Sequence, residues 1–440
     1  MMVRKLLLAA SAVLVLAGCS VFERAERPQT TRGERLPVLA FEQRLEIDPA
    51  VAELPVLLPE PLANASWPQA GGSPAKAMQH VVLGDRLQRV WTTSIGDGDG
   101  TGKRLLSAPV VADGRLFAID TRARVSALDA NTGGRLWQVT IKRPETSERV
   151  AFGGGVSVEG ERVIAATGYG VIVALNARTG AELWRRDVGI PLRGSPAIAQ
   201  GRVFTLSQDN QLFALNLETG EQLWDATAIA ENAGILGAAA PAVSGDTVVV
   251  GFSSGELNAL RSENGRITWQ DNLARTGRLT ALAALADIDG SPVIDRGRVF
   301  ALGHGGRMVS LEFTTGERLW ERPIGGLNTP WVAGDYLFVV TTDEQVICLL
   351  RADGRIRWVT QLQRYEDPDD RDGVVRWQGP VLASDRLIVT SSNGYIATLS
   401  PYTGKLISVE QLPDATWLPP VVANTMLYVL TADGRVVAYR

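Results

Sequence analysis

A tryptophan returns along this chain at positions 91, 137, 184, 224, 269, 320 and 358, and an equivalent segment carries Ser408 instead. The intervals are 46, 47, 40, 45, 51, 38 and 50 residues. A unit of about 45 residues with four short apolar strands cannot bury its faces alone. Stacked radially, such units form a β-propeller. The repeat overrides the prior of about three domains that 440 residues would suggest.

One copy shows the expected strands. Residues 196–199 are short and apolar, as suits an innermost strand beside a central channel, and 202–206 and 211–215 are rich in Val, Phe and Leu. Residues 222–225 supply an outer strand bearing Trp224. Asp113-Gly114, Asn393-Gly394 and Asp433-Gly434 mark hairpin turns. The last copy, 418–440, has three strands, while a spare strand at 87–93 precedes the first full copy. Pairing the two closes a ring and removes two free sheet edges. The expected fold is all-β: an eight-bladed β-propeller of four-stranded antiparallel blades over 67–440, closed by an N-terminal strand.

Residues 1–18 read as a signal peptide, with Arg4 and Lys5 before an apolar run at 6–17. Twelve residues are too few for a membrane span, which needs about 20. The run ends in Leu16-Ala17-Gly18-Cys19, which resembles the bacterial lipoprotein box. That resemblance makes Cys19 the lipidated residue, and Ser20 after it resembles the outer-membrane sorting class. Residues 19–66 contain Pro28, Pro37, Pro49, Pro55, Pro59 and Pro61 and read as a semi-rigid tether, with a short helix possible in 41–47.

The recurring string is Ala-x-Asp-x-x-Thr-Gly-x-x-x-Trp, as at Ala127, Asp129, Thr132, Gly133 and Trp137, with Asn for Asp at 176 and 216. It resembles the tryptophan-docking repeat of quinoprotein-like propellers, in which each Trp packs between adjacent blades. Two families carry it on a secreted eight-bladed ring. The quinoprotein dehydrogenases hold pyrroloquinoline quinone and Ca²⁺ in the channel, near an adjacent cysteine pair. The BamB family comprises lipoprotein subunits of the machinery that inserts β-barrels into the Gram-negative outer membrane. Lipobox, tether, eight repeats and strand closure all resemble the BamB family. The dehydrogenase reading is the alternative, but no Cys-Cys occurs here and the repeats leave no room for long insertions.

Candidate chemistry is sparse. Cys348 replaces the Ala that begins the docking string and reads as a small core residue. The 97–102 segment, Asp-Gly-Asp-Gly-Thr-Gly, lacks the Glu of a Ca²⁺ loop and reads as a mobile, solvated loop. Gly153-Gly154-Gly155 lacks the context of a phosphate loop. The acidic stretch 366–372 reads as a solvated insertion, His304 as structural, and His80 as preceding the propeller without a partner. The net charge of −4 disfavours nucleic acid. The expectation is a non-enzymatic protein with no cofactor and no metal site.

Function then falls to the loops. The BamB resemblance implies docking on the periplasmic POTRA domains of BamA, through loops joining one blade's outer strand to the next blade's inner strand. The long loops after Trp224 and Trp269 enter successive blades, so they are expected side by side on one face. The second carries Asp287 and Asp289, which resemble the family's Asp-x-Asp loop and take the partner-contact role. Capping of a turn is the plainer reading of that pair. The first carries Ile235 at a family Leu position and Leu236 where the family has Arg. A more apolar contact through Ile235 and Leu236 follows, without the arginine's hydrogen bonds. The implied location is the outer membrane, facing the periplasm.

Overall fold

The structure is a computed structural model that describes residues 45–142, 154–229, 239–274 and 287–440. Eight four-stranded antiparallel sheets are arranged as blades. Blades 1–7 occupy residues 110–140, 154–187, 197–227, 242–272, 293–322, 331–361 and 377–411. Blade 8 combines Val421–Ala423, Met426–Leu430 and Arg435–Tyr439 with the N-terminal strand Arg89–Ser94. That strand pairs antiparallel with the last one, Thr92 opposite Val437. Blade 3 follows the expected strands closely, at Ala197–Ala199, Arg202–Leu206, Gln211–Asn216 and Gln222–Thr227. The second and third strands of the blades are buried on both faces between neighbouring sheets, which is why they read as continuous apolar runs.

The docking string works as a latch from each blade to the next. The indole N–H of Trp137 donates to Ala177 O at 3.0 Å, Trp184 to Leu217 O at 2.9 Å, and Trp224 to Ser262 O at 3.0 Å. Trp269, Trp320 and Trp358 repeat the contact on Phe313, Arg351 and Pro401. A glycine of each receiving turn, preceded by Thr in most copies but by Asn264 or Asp353 in two, lies under the ring. A Cβ on Gly220 would stand 2.5 Å from Trp184, and one on Gly265 2.6 Å from Trp224. These glycines therefore serve twice, taking φ near +71° and leaving room for an indole.

The missing Trp at 408 has a structural reason. Blade 8 takes its fourth strand from 89–94, so no turn joins its third and fourth strands and no such turn carbonyl faces position 408. Ser408 instead shares a hydrogen bond with Thr398 at 2.8 Å. At the closing seam, Trp91 and the Tyr428 hydroxyl both donate to Ala130 O, at 3.2 and 3.1 Å.

Residues 62–83 form a belt that visits the inner strand of every blade. Asn64 bonds Val422 and Asn424 of blade 8, and Trp67 exchanges both backbone bonds with Val111 of blade 1. Pro68 O accepts from Val158 of blade 2, and the Gln69 amide brackets Ile198 of blade 3. Pro74 and Ala75 accept from Val243 and Ile294 of blades 4 and 5. Gln79 holds Trp331 and Gly334 of blade 6, and Val81 joins Leu382 and Ser384 of blade 7. The belt closes on itself where Leu62 pairs with Val81. Inner strands are sheet edges whose free N–H and C=O groups need partners, and the belt supplies them.

Part of the segment expected as tether packs on the ring. Residues 45–61 lie along blade 6: Asp48 N–H donates to Ile356 O at 3.0 Å, Tyr336 Oη donates to Pro55 O at 2.8 Å, and Val51 is fully buried. The contacts of 45–66 with the ring have no signal in the sequence, because about one contact per blade leaves no period. The possible helix at 41–47 falls largely outside the described residues, and 45–47 is not helical.

Candidate functional site

The two long connections do adjoin at their described feet. Ala240, entering blade 4, donates its N–H to the Ser291 hydroxyl at the entry to blade 5, at 2.9 Å. Ile288 fills space left by Gly251, where a Cβ would stand 2.4 Å away, and its N–H reaches Phe252 O at 3.2 Å. This anchors the strip that carries Asp287 and Asp289 on either side. Ile235, Leu236 and Cys19 lie outside the described residues.

Both carboxylates are buried, at 1% and 4% side-chain exposure, and Arg193 lies between them. Its Nη2 is 3.6 Å from Asp287 Oδ1 and 3.4 Å from Asp289 Oδ1. Arg193 comes from the connection between blades 2 and 3. Its backbone is pinned there by Arg193 N–H to Leu206 O at 2.8 Å and Gly154 N–H to Arg193 O at 3.0 Å. Burial pushes the Asp289 carboxyl up to about 7, the Asp287 charge adds to this, and Arg193 opposes it. One cation between two buried carboxylates ties together connections that are two blades apart.

The sequence had no signal for this contact, because Arg193 and Asp289 are 96 positions apart.

The remaining candidates resolve as follows. Cys348 is fully buried opposite Trp358, and burial raises its thiol well above the ordinary range. His80 is not without partners, contrary to expectation. Its Nε2 accepts from Asp385 N–H at 2.9 Å, which leaves Nδ1 to donate to Pro59 O at 2.8 Å, so it stitches the belt to blade 7. Residues 97–99 of the expected solvated loop are tied down, while 100–102 are exposed. Asp97 pairs with Arg122 and Arg124, Asp99 accepts from Leu105 N–H at 2.6 Å, and Gly98 abuts Ala432 of blade 8. The acidic stretch forms a small hairpin, Tyr365–Asp367 with Asp372–Val374. Gly154 and Gly155 lie in the inner strand of blade 2, and a Cβ on Gly155 would meet the hydroxyls of Ser195 and Ser107. His304 donates its backbone N–H to Asp287 O at 2.9 Å, behind the carboxylate pair.

Comparison with known proteins settles the family. The sequence model described as outer membrane protein assembly factor BamB matches residues 80–150 and 121–360. The chain belongs to the BamB family. It is 30% identical over 361 residues to the BamB of Xanthomonas campestris, covering 81% of this chain and 86% of that one. It is 28% identical over 356 residues to the BamB of Yersinia pestis, covering 80% and 88%. The crystal structure of BamB from Moraxella catarrhalis superposes with a TM-score of 0.69 at 22% identity, over 81% of this chain and all of that one. A europium-containing methanol dehydrogenase superposes at 0.66 with 14% identity, covering 83% and 90%. At that identity the dehydrogenase shares the ring with this BamB-family chain, and the likeness shows the fold alone.

Proposed function

We propose that this chain is a non-enzymatic scaffold lipoprotein of the outer-membrane β-barrel assembly machinery. It is anchored through lipid on Cys19, faces the periplasm, and binds the POTRA domains of BamA, assisting insertion of barrel proteins. Membership of a family named for outer-membrane protein assembly carries this reading.

At the contact, Ile235 and Leu236 present the apolar surface, and Asp287 and Asp289 act from the foot of the neighbouring loop. The burial of the two carboxylates supports a share of their role in setting loop position, with Arg193 as the positioning residue that keeps them together. An apolar pair in sequence beside a held charge cluster suits a specific protein interface.

The test is affinity capture from solubilised outer membrane. Replacing Ile235 and Leu236 with Ser should reduce BamA recovery at least tenfold while the far-ultraviolet circular dichroism stays unchanged. Asp287→Asn with Asp289→Asn should reduce it several-fold. Undiminished recovery with both sets would remove the site. A Cys19→Ala chain that still partitions with membranes in the absence of BamA would remove the lipid anchor.

A further inference from the structure

Inside the ring, between the belt and the inter-blade connections, lies a cavity of about 330 Å³. Its lining includes Trp67, Trp331, Trp377 and Trp417 with Lys76 and Arg104. Trp67 and Trp331 stack with centroids 6.1 Å apart at 17°, and the Arg104 guanidinium lies 4.3 Å from the centre of the Trp417 ring. The volume falls in the range of small-molecule sites, and aromatic walls with a few placed polar groups are their usual lining.

Lys76 is the unusual member. It sits on the belt with its side chain 2% exposed, and its Nζ makes one long hydrogen bond, 3.4 Å to Gln69 Oε1. Among the described residues no carboxylate pairs with it, and burial lowers it to about 7. Its backbone is held at φ +63°, a region that costs a residue with a Cβ about 1 kcal/mol or more. Gly71 makes way for its stem, since a Cβ there would stand 2.8 Å from Lys76 Cδ. A methionine would fill the same space without burying an ammonium. Strain, desolvation and a cleared path all serve to hold one cation at the wall of a tryptophan-lined chamber. Arg104 makes no close ion pair among the described residues, though its charge acts on Asp99, and it is held against an indole.

We infer that this cavity is a binding site for a small aromatic carboxylate, its acid group on Lys76 and its ring among Trp67, Trp331 and Trp417. The lining carboxylates Glu344 and Asp289 are already paired with Arg376 and Arg193, so Lys76 and Arg104 are the cations left to select an anion, and the indoles select a flat apolar body. Arg104 supplies a second positive group from the connection into blade 1, favouring entry of the acid over a neutral isostere. The cavity shares Asp289 in its wall with the foot of the loop assigned to BamA, but Lys76, Arg104 and the tryptophans lie outside that loop and the inference does not rest on the BamA reading.

The probe is 2-naphthoate, titrated calorimetrically into the whole chain, with 2-naphthamide as its neutral counterpart. Saturable one-site binding of the acid is expected, at least tenfold tighter than that of the amide. Lys76→Met should weaken the acid at least tenfold and leave the amide within twofold. Arg104→Gln should weaken the acid at least threefold, and it decides the matter should Lys76→Met fail to fold by thermal melting. Trp417→Ala should weaken both ligands. The inference is overturned if acid and amide bind alike, if neither cation variant alters the acid, or if no saturable binding of the acid occurs below millimolar concentration.

Discussion

Arg193 Nη2 stands 3.4 Å from Asp289 Oδ1, so one guanidinium from the blade 2–3 connection neutralises a carboxylate from the blade 4–5 connection. Asp287 completes the cluster at 3.6 Å. Removing the cation takes from buried Asp289 its ion-pair partner and from Asp287 one of its contacts. Arg193→Leu should lower unfolding free energy by roughly 3–5 kcal/mol. Adding Asp289→Asn to Arg193→Leu should restore part of that loss, because the charge that lost its ion pair disappears. Urea denaturation of the two single variants and the double variant, read as a double-mutant cycle, checks it.

The same cluster gives stability a definite pH dependence. Asp289 titrates near 7 when folded, against an ordinary value of 3.8. Between these values the folded chain holds a proton that the unfolded chain has lost, so this carboxyl makes stability fall as pH rises from about 4 to about 7. Above that range its contribution is constant. Asp289→Asn should flatten this part of the profile. Denaturation midpoints at pH 5, 6, 7 and 8 for both chains measure it, and parallel profiles would contradict it.

Lys76 contributes with the opposite sign. Its folded value near 7 lies below the ordinary 10.5, so between them the unfolded chain holds the extra proton and stability rises with pH. Below pH 7 the burial cost is fully expressed. Lys76→Met should therefore raise the melting temperature at pH 6 and confer little by pH 10. Differential scanning calorimetry at the two pH values tests the difference.

The latch separates two roles of glycine. Gly201 and Gly220 have φ of +70° and +71°, but a Cβ meets nothing within 4 Å at Gly201 and the Trp184 ring at 2.5 Å at Gly220. Gly201→Ala should cost about 1 kcal/mol, the conformational penalty alone. Gly220→Ala should cost roughly 2 kcal/mol more, since an indole in a packed seam must move. Equal losses in chemical denaturation would show that the ring gives way freely.

At the closing seam Ala130 O accepts from both Trp91 and Tyr428. Tyr428→Phe removes one donor and keeps the other, so a loss of about 1 kcal/mol is expected. Trp91→Ala removes the ring as well and should cost about 3–5 kcal/mol. Unfolding monitored by circular dichroism distinguishes the two.

The architecture was legible in the sequence because it repeats. The Trp meets the same local demand seven times and the turn glycine seven times, so the period, blade number and strand closure could be read without any long-range information. Cys348 was readable for the same reason, standing at a repeat position whose environment the other copies define. The belt was not, because Trp67, Gln69, Pro74, Ala75 and Val81 each answer to a different blade and share no pattern among themselves. His80 was misread for the same cause, its partners being Pro59 and, 305 positions away, Asp385.

Local repetition thus determined the ring, and the family resemblance pointed to Asp287 and Asp289 as the pair to watch. Only the tertiary structure decided that those carboxylates are buried, that Arg193 lies between them, and that Lys76 faces a tryptophan-lined cavity. Strand periodicity is a property of neighbours in sequence. A buried charge is stable or costly according to what the fold brings within a few ångströms, and that depends on closure of the whole ring.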